Sequence, residues 1–117
     1  MPRRNSPDSL SLAVGERIRA LRIENEMTIE ELAEESETGS KGHLSNIERG
    51  LVRPNIYTLK QVADGLGVKP LDLMTFPRRS VRERLIDLTR TIHTEKLSEM
   101  VREIVRWARG RSRARPT

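Results

Sequence analysis

From residue 10 to residue 76, apolar side chains recur at the three- and four-residue spacing of an α-helix. They do so only in short runs, each opened by a helix-capping side chain or by proline and closed by a glycine or a turn. Leu10, Val14, Ile18 and Leu21 mark a first helix ending near Glu26. Thr28-Ile-Glu-Glu31 has the form of a capping box and starts a second helix at Ile29, with Ile29, Leu32 and Ala33 inward and Glu30, Glu34 and Glu35 outward. Ser40 caps a third helix running through Arg49 and stopped by Gly50. Asn55 caps a fourth with Leu59, Val62, Ala63 and Leu66 on one face, stopped by Gly67, and Pro70 opens a short fifth through Thr75. Short helices cannot stand alone in water, so they must share one core. The three aromatics of the chain, Tyr57, Phe76 and Trp107, make that core aliphatic.

After Phe76-Pro77 the pattern changes. Ser80-Val-Arg-Glu83 repeats the capping-box form ahead of Val81, Leu85, Leu88 and Ile92, a helix over residues 80–93. A further helix from Glu95 to about Ala108, capped by Thr94, carries Leu97, Met100, Val101, Ile104, Val105 and Ala108 inward, and Gly110 is expected to end it. The reading is all-α: five helices over residues 9–77, then an extension over 78–109 of two helices or one long helix. A disordered basic arm (1–8) and a basic disordered tail (110–117) flank them. A chain of 117 residues has room for one small domain and such an appendage.

Composition narrows the function. Lys and Arg number 22 against 17 Asp and Glu, for a net charge of +5. Residues 1–78 hold 11 basic and 12 acidic residues (net −1) and residues 79–117 hold 11 and 5 (net +6), so the basicity lies C-terminally. A polyanionic partner fits this balance. Eighteen of the basic residues are Arg, which suits phosphate or carboxylate forks and equally reflects a GC-biased coding sequence. With no Cys and two His, no thiolate metal site, disulfide or cysteine nucleophile can form. No Gly-rich phosphate loop or nucleophile–base set is present, so neither an enzyme nor a cofactor or metal site is expected. Three aromatics make a stacking platform for single strands improbable. No apolar run reaches the roughly 20 residues of a membrane span, and no secretory leader is recognisable, so the expected location is cytoplasmic, on the nucleoid.

The residues Gly15-Glu-Arg-Ile-Arg-Ala-Leu-Arg22, Thr28 through Ala33, Leu44-Ser-Asn-Ile-Glu-Arg-Gly50, Pro54, and Thr58-Leu59 through Leu66-Gly-Val68 occur in an order and spacing that resemble the Xre-type helix-turn-helix family of Cro and phage-repressor-like regulators. The resemblance covers about residues 10–76. It implies a five-helix DNA-binding domain whose third helix reads the major groove, and a structural ion pair between Arg22 and Glu48 that fixes this helix against the first. Two departures stand out: Ile29 replaces the usual glutamine at the start of the second helix, and the Leu32–Leu44 interval is one residue longer than usual, within Glu37-Thr-Gly-Ser40.

At 100° per residue, Leu44 and Ile47 share the buried side of the third helix, centred about 270° from Lys41. Gly42, Ser45, Asn46 and Arg49 take the opposite face, with Lys41 on its edge and His43 flanking the core side. Asn can pair with adenine N6 and N7, and Lys or Arg with guanine O6 and N7. Alone, this face would read as solvated surface; between a capped preceding helix and the Glu-Arg-Gly terminus it points to DNA. His43 is either a DNA contact or an ordinary surface residue. The DNA-binding set is thus Thr28, Ser40, Lys41, Gly42, His43, Ser45, Asn46, Arg49 and Arg53. The acidic residues of the second helix are expected to face away, leaving Lys41, Arg49 and Arg53 to meet phosphate.

On the 95–108 helix the apolar stripe, counting Trp107, spans about 160°, wider than the ~100° one partner covers. Val81, Leu85, Leu88, Ile92, Leu97, Met100, Val101, Ile104, Val105, Trp107 and Ala108 are therefore candidates for homodimerisation, with a hairpin folded on its own domain as the other reading. The expected function is a sequence-specific double-stranded DNA-binding transcriptional regulator, a homodimeric bacterial repressor or autoregulator on a palindromic operator. The alternative is an antitoxin or protein-binding regulator whose C-terminal helices hold a toxin or antagonist. The Arg-rich tail either tracks phosphates or only solubilises.

Overall fold

The structure, a computed structural model, describes residues 8–113. Those residues form seven helices and no strand: α1 (Ser9–Glu24), α2 (Ile29–Glu35), α3 (Lys41–Glu48), α4 (Ile56–Leu66), α5 (Pro70–Leu73), α6 (Val81–Thr89) and α7 (Thr94–Arg113). They group into two compact units, one reaching Asp87 and one from Leu88 onward. Of the expected basic arm, residues 1–7 lie outside the described residues, as do residues 114–117 of the expected tail.

Capping chemistry sets the boundaries in the first unit. Asp8, Thr28, Ser40 and Asn55 each accept a backbone N–H at the start of α1 to α4, and Thr28 and Glu31 complete the capping box; each such cap contributes about 1 kcal/mol. At the far ends, Gly50 and Gly67 take the left-handed conformation (φ 74° and 71°). The amides after α3 return to its last turn, Gly50 to the Ile47 carbonyl (3.0 Å) and Leu51 to that of Asn46 (2.9 Å), the pairing a left-handed glycine permits. The α1 end uses the same bonds with Glu26 (φ 56°) in place of glycine, so α1 stops at Glu24 rather than near Glu26.

The core of this unit is aliphatic. Val14, Ile18 and Leu21 of α1, Leu32 and Ala33 of α2, Leu44 and Ile47 of α3, Val62, Ala63 and Leu66 of α4, Leu73 of α5 and the loop residue Val52 form one cluster, with Met27, Leu59, Val68 and Phe76 packed against it. Leu10, which continues the α1 stripe in sequence, is instead half exposed, while the neighbouring Ser11 is buried. The longer α2–α3 connection is absorbed by two left-handed residues, Glu37 (φ 56°) and Gly39 (φ 82°). Ser36 at its start is buried, its hydroxyl donating to the Leu32 carbonyl (2.5 Å), and Gly65 of α4 lies so close to the Ser36 backbone that any side chain there would collide.

Two contacts bind α3 to α1. A Cβ at Gly15 would fall on the carbonyl oxygens of Ile47 and Glu48, so the two backbones approach as only glycine allows. Two turns further along α1, Arg22 donates from Nε to Glu48 Oε2 (2.7 Å) and from Nη2 to Oε1 (3.0 Å), while Nη1 reaches the Met27 carbonyl (2.9 Å). The Arg22 and Glu48 side chains are 13% and 4% exposed. Fork hydrogen bonding to Glu48 is the largest cause that holds the Arg22 guanidinium above its usual pKa.

The start of α6 belongs to this unit. Arg17, 9% exposed, donates from Nε to the Asp72 carbonyl (2.8 Å) and from Nη2 to Asp87 (2.7 Å). Glu83 accepts from the Phe76 amide (3.0 Å) and the Ser80 hydroxyl (2.8 Å). The first unit therefore runs past Pro77 to Asp87, beyond the boundary expected from the change in sequence pattern.

In the second unit no residue from Leu88 to Gly110 is buried. The α7 helix does not stop at Gly110, which keeps helical backbone, and continues to Arg113. A glycine ends a helix by turning left-handed; here Arg-Ser-Arg follows and sustains the helix at a cost of about 1 kcal/mol. His93, not Thr94, takes the cap position, its carbonyl accepting from Leu97 (2.9 Å) and its Nδ1 from Glu95 (3.4 Å).

Gly15→Ala is expected to destabilise the first unit by about 1–3 kcal/mol, through overpacking against immovable backbone. Gly110→Ala, with nothing within 4 Å, should instead raise the helical signal; urea unfolding followed by circular dichroism separates the two. For the fork, Arg22→Met or Glu48→Gln alone should cost on the order of 3 kcal/mol, and the double variant clearly less than the sum, because each single change strands a partly buried charge. Zero coupling in the double-mutant cycle would show that the pair holds nothing.

Candidate nucleic-acid interface

Two turns of helix are too short to hold an orientation alone, so α3 takes its position from its surroundings. Leu44 and Ile47 are sunk in the core, Glu48 is held by Arg22, and Gly50 ends the helix. The face turned the other way carries Gly42 and Arg49, both exposed, with Ser45 and Asn46 half-buried beside them and Lys41 at the N-terminal edge. The structure thus collects Lys41, Gly42, Ser45, Asn46 and Arg49 on one side of one helix. His43 is half-buried, and its amide donates to the Ser40 hydroxyl (3.0 Å). Thr28 and Ser40 both spend their hydroxyl oxygens on helix caps. The Thr28 hydroxyl also donates to the Glu30 carboxylate, whereas the Ser40 hydroxyl hydrogen is left to donate outward.

The three cations differ in their surroundings. Lys41 Nζ lies 2.7 Å from Glu30 Oε1, which corrects the expectation that the acids of α2 all face away: Glu30 reaches across to the start of α3. That hydrogen bond is the main cause holding the Glu30 carboxyl below its usual pKa. Arg53, just before α4, donates from Nε to Asp8 Oδ2 (2.9 Å). The Asp8 carboxyl is driven far below the usual carboxylate range, first by the Ser11 amide it caps and next by Arg53. Arg49 has no acidic partner among the described residues.

Reasoning from sequence did not find Glu30, Asp8 or Arg17. Each acts through a charge pair across a turn or between distant segments, as with Arg17 and Asp87, 70 positions apart, and no periodicity signals such a pair. Of the dimerisation candidates, Val81 and Leu85 lie on the part of α6 in the first unit and are exposed. In the second unit Ile92, Leu97 and Met100 are half-buried, whereas Leu88, Val101, Ile104, Val105, Trp107 and Ala108 are exposed, Trp107 to 65%. Among the described residues no group of three His, Asp or Glu is placed to hold a metal ion, and no helix is long and apolar enough to cross a membrane.

A family model described as Helix-turn-helix matches residues 18–73, from the middle of α1 to the end of α5. The immunity repressor protein of Bacillus phage phi105 is 40% identical over 58 residues, which are 50% of this chain and 40% of that protein, so the chain spans less than half the length of this relative. Among solved structures, the restriction-modification controller protein C.AhdI from Aeromonas hydrophila superposes with a TM-score of 0.52 at 25% identity, covering 54% of this chain and 94% of that one. The clp gene regulator ClgR from Corynebacterium glutamicum does so with a TM-score of 0.54 at 26% identity, covering 86% and 95%. The Arg22–Glu48 fork and the exposed face of α3 fall within the matched segment and Gly15 lies three residues before it; across residues 18–73 this chain carries a helix-turn-helix domain of the Xre type.

Proposed function

We propose that this protein is a sequence-specific double-stranded DNA-binding transcriptional regulator of the bacterial cytoplasm, a homodimer that lays α3 in the major groove of a palindromic operator. The observation that carries the reading is the α3 face: Asn46, Ser45 and Arg49 project beside Gly42 from a helix clamped by Arg22, so groups able to read base edges stand on a rigid support. Asn46 supplies the bidentate adenine contact, Lys41 and Arg49 reach guanine or phosphate, Arg53 meets phosphate, and Gly42 lets the groove wall come close. The names of its likenesses, an immunity repressor, a restriction-modification controller protein and a clp gene regulator, are consistent with this reading.

One such helix contacts too few bases for useful specificity, and dimers solve this by docking two helices about one turn of DNA apart. The exposed Val101, Ile104, Val105 and Trp107 stripe of α7 suits a second copy. It suits a partner protein equally by its apolar character, the basis of the second reading, a regulator whose C-terminal helices bind a toxin or an antagonist.

Selection of bound duplexes from a random pool tests the central claim. A two-fold symmetric site with half-sites about 34–36 Å apart is expected, and recovery of no preferred sequence rejects specific reading. On that site Asn46→Ala should weaken binding by about 1–3 kcal/mol with the fold intact; an equal loss on random DNA would reassign Asn46 to the backbone. Sedimentation of the full chain at micromolar concentration should show a dimer. A monomer that acquires stable mass only with a small copurifying protein favours the second reading.

A further inference from the structure

We infer that Glu30 is an intramolecular counter-anion to Lys41 that sets how strongly the protein grips DNA backbone, an inference that rests on the DNA-binding reading above. A lysine that is to meet phosphate gains most when its ammonium is otherwise matched only by water and salt. Here it is already matched: Lys41 Nζ is 2.7 Å from Glu30 Oε1, with both side chains more than half exposed. Glu34 and Glu37 line the same shallow concavity as Lys41, so the start of α3 sits in a negative local field. The arrangement recurs at Arg53, whose Nε is bonded to Asp8, a carboxylate restrained because it also accepts from the Ser11 amide (2.8 Å) and hydroxyl (3.0 Å) at the start of α1. Two of the three cations expected to meet the duplex are therefore occupied by carboxylates of the protein itself, and Arg49 is the exception.

Binding then exchanges one ion pair for another. Lys41 leaves the Glu30 carboxylate for a phosphate oxygen, and the vacated carboxylate keeps the Thr28 hydroxyl and the field of Arg22 and otherwise takes up water and a salt cation. Each phosphate neutralised by a lysine normally releases about 0.9 of a condensed cation. A carboxylate that takes up a cation at the same moment cancels part of that release. The result is weaker backbone binding with a flatter salt dependence. An exposed pair of this kind is weak enough for phosphate to displace, so it moderates contact without blocking it. It also gives the acidic α2 a role beside a reading helix, since it restrains the sequence-independent grip that competes with site recognition on a long polyanion.

The test uses the full chain and a fluorescent mixed-sequence duplex, titrated at several KCl concentrations. Glu30→Gln keeps the side-chain shape and removes the charge. It is expected to raise affinity about two- to fivefold and to steepen the log–log salt slope by up to about one. In a Lys41→Gln background the same change should leave affinity and slope nearly unaltered, with thermal melts checking that every variant is folded. If Glu30→Gln gains as much without Lys41 as with it, Glu30 acts only as a repulsive charge and the counter-anion role is wrong; no gain in either background also overturns it. Should the unaltered chain bind no duplex at any salt concentration, the DNA-binding reading itself falls and this inference falls with it.

Discussion

The seam between α1 and α3 is the contact on which the interface depends. Its apolar part is Val14 and Ile18 with Leu44 and Ile47, all in the buried core, but apolar packing alone fixes orientation loosely. Orientation comes from the two contacts that do not. At Gly15 the helix backbones meet without an intervening side chain, which sets their separation at one point. At Arg22 the planar fork engages both carboxylate oxygens of Glu48, which sets the rotation of α3 about its own axis. A third donor from the same guanidinium ties in the Met27 carbonyl and hence the turn leading to α2. One partly buried arginine thus couples three successive elements, and the outward face of α3 follows from it.

The α2–α3 connection meets a different constraint. One residue more than the usual spacing would swing α3 relative to α2 if the turn kept its ordinary backbone. Instead Glu37 and Gly39 both adopt positive φ, and the extra length folds outward while Ser36 stays buried against α4. For Gly39 this conformation is inexpensive, whereas for Glu37 it costs about 1 kcal/mol, recovered from the packing that Ser36 and Gly65 make possible. With this turn geometry the first residue of α3, Lys41, lies within reach of Glu30.

What was legible in the sequence is what depends on neighbours within one helix turn. Thr28, Ser40 and Asn55 cap where their side-chain chemistry requires, Gly50 and Gly67 turn left-handed after the last helical residue, and the aliphatic core follows the 3.6-residue period. Gly110 shows the limit of such signals: the same residue type sits inside α7, since glycine permits a left-handed turn but does not impose one. His93 shows another, for a side-chain nitrogen and a carbonyl in the right place took the cap that the neighbouring threonine was better suited to make. Placing the side chains of α3 on a face needed only helical arithmetic. Pairing Lys41 with Glu30, Arg53 with Asp8 or Arg17 with Asp87 needed the third dimension, because an ion pair has no period.

Net charge was a poor guide for a related reason. The segment that carries the candidate reading helix is slightly acidic, while the excess of arginine lies toward the C-terminus. Screening at physiological salt confines a surface charge to about 8 Å, so a phosphate approaching α3 responds to Lys41, Arg49, Arg53 and the carboxylates bonded to them, not to a total over the chain. Several of these charges also hold a structural position: Glu30 at the first turn of α2, Asp8 at the cap of α1, and Arg49 at the end of α3. The side chains that begin and end the helices are also those that set the potential at the interface. Changing a cap or an end residue in this domain therefore alters the electrostatic surface together with the fold, and the two effects separate only in substitutions, such as Glu30→Gln, that change the charge while keeping the shape.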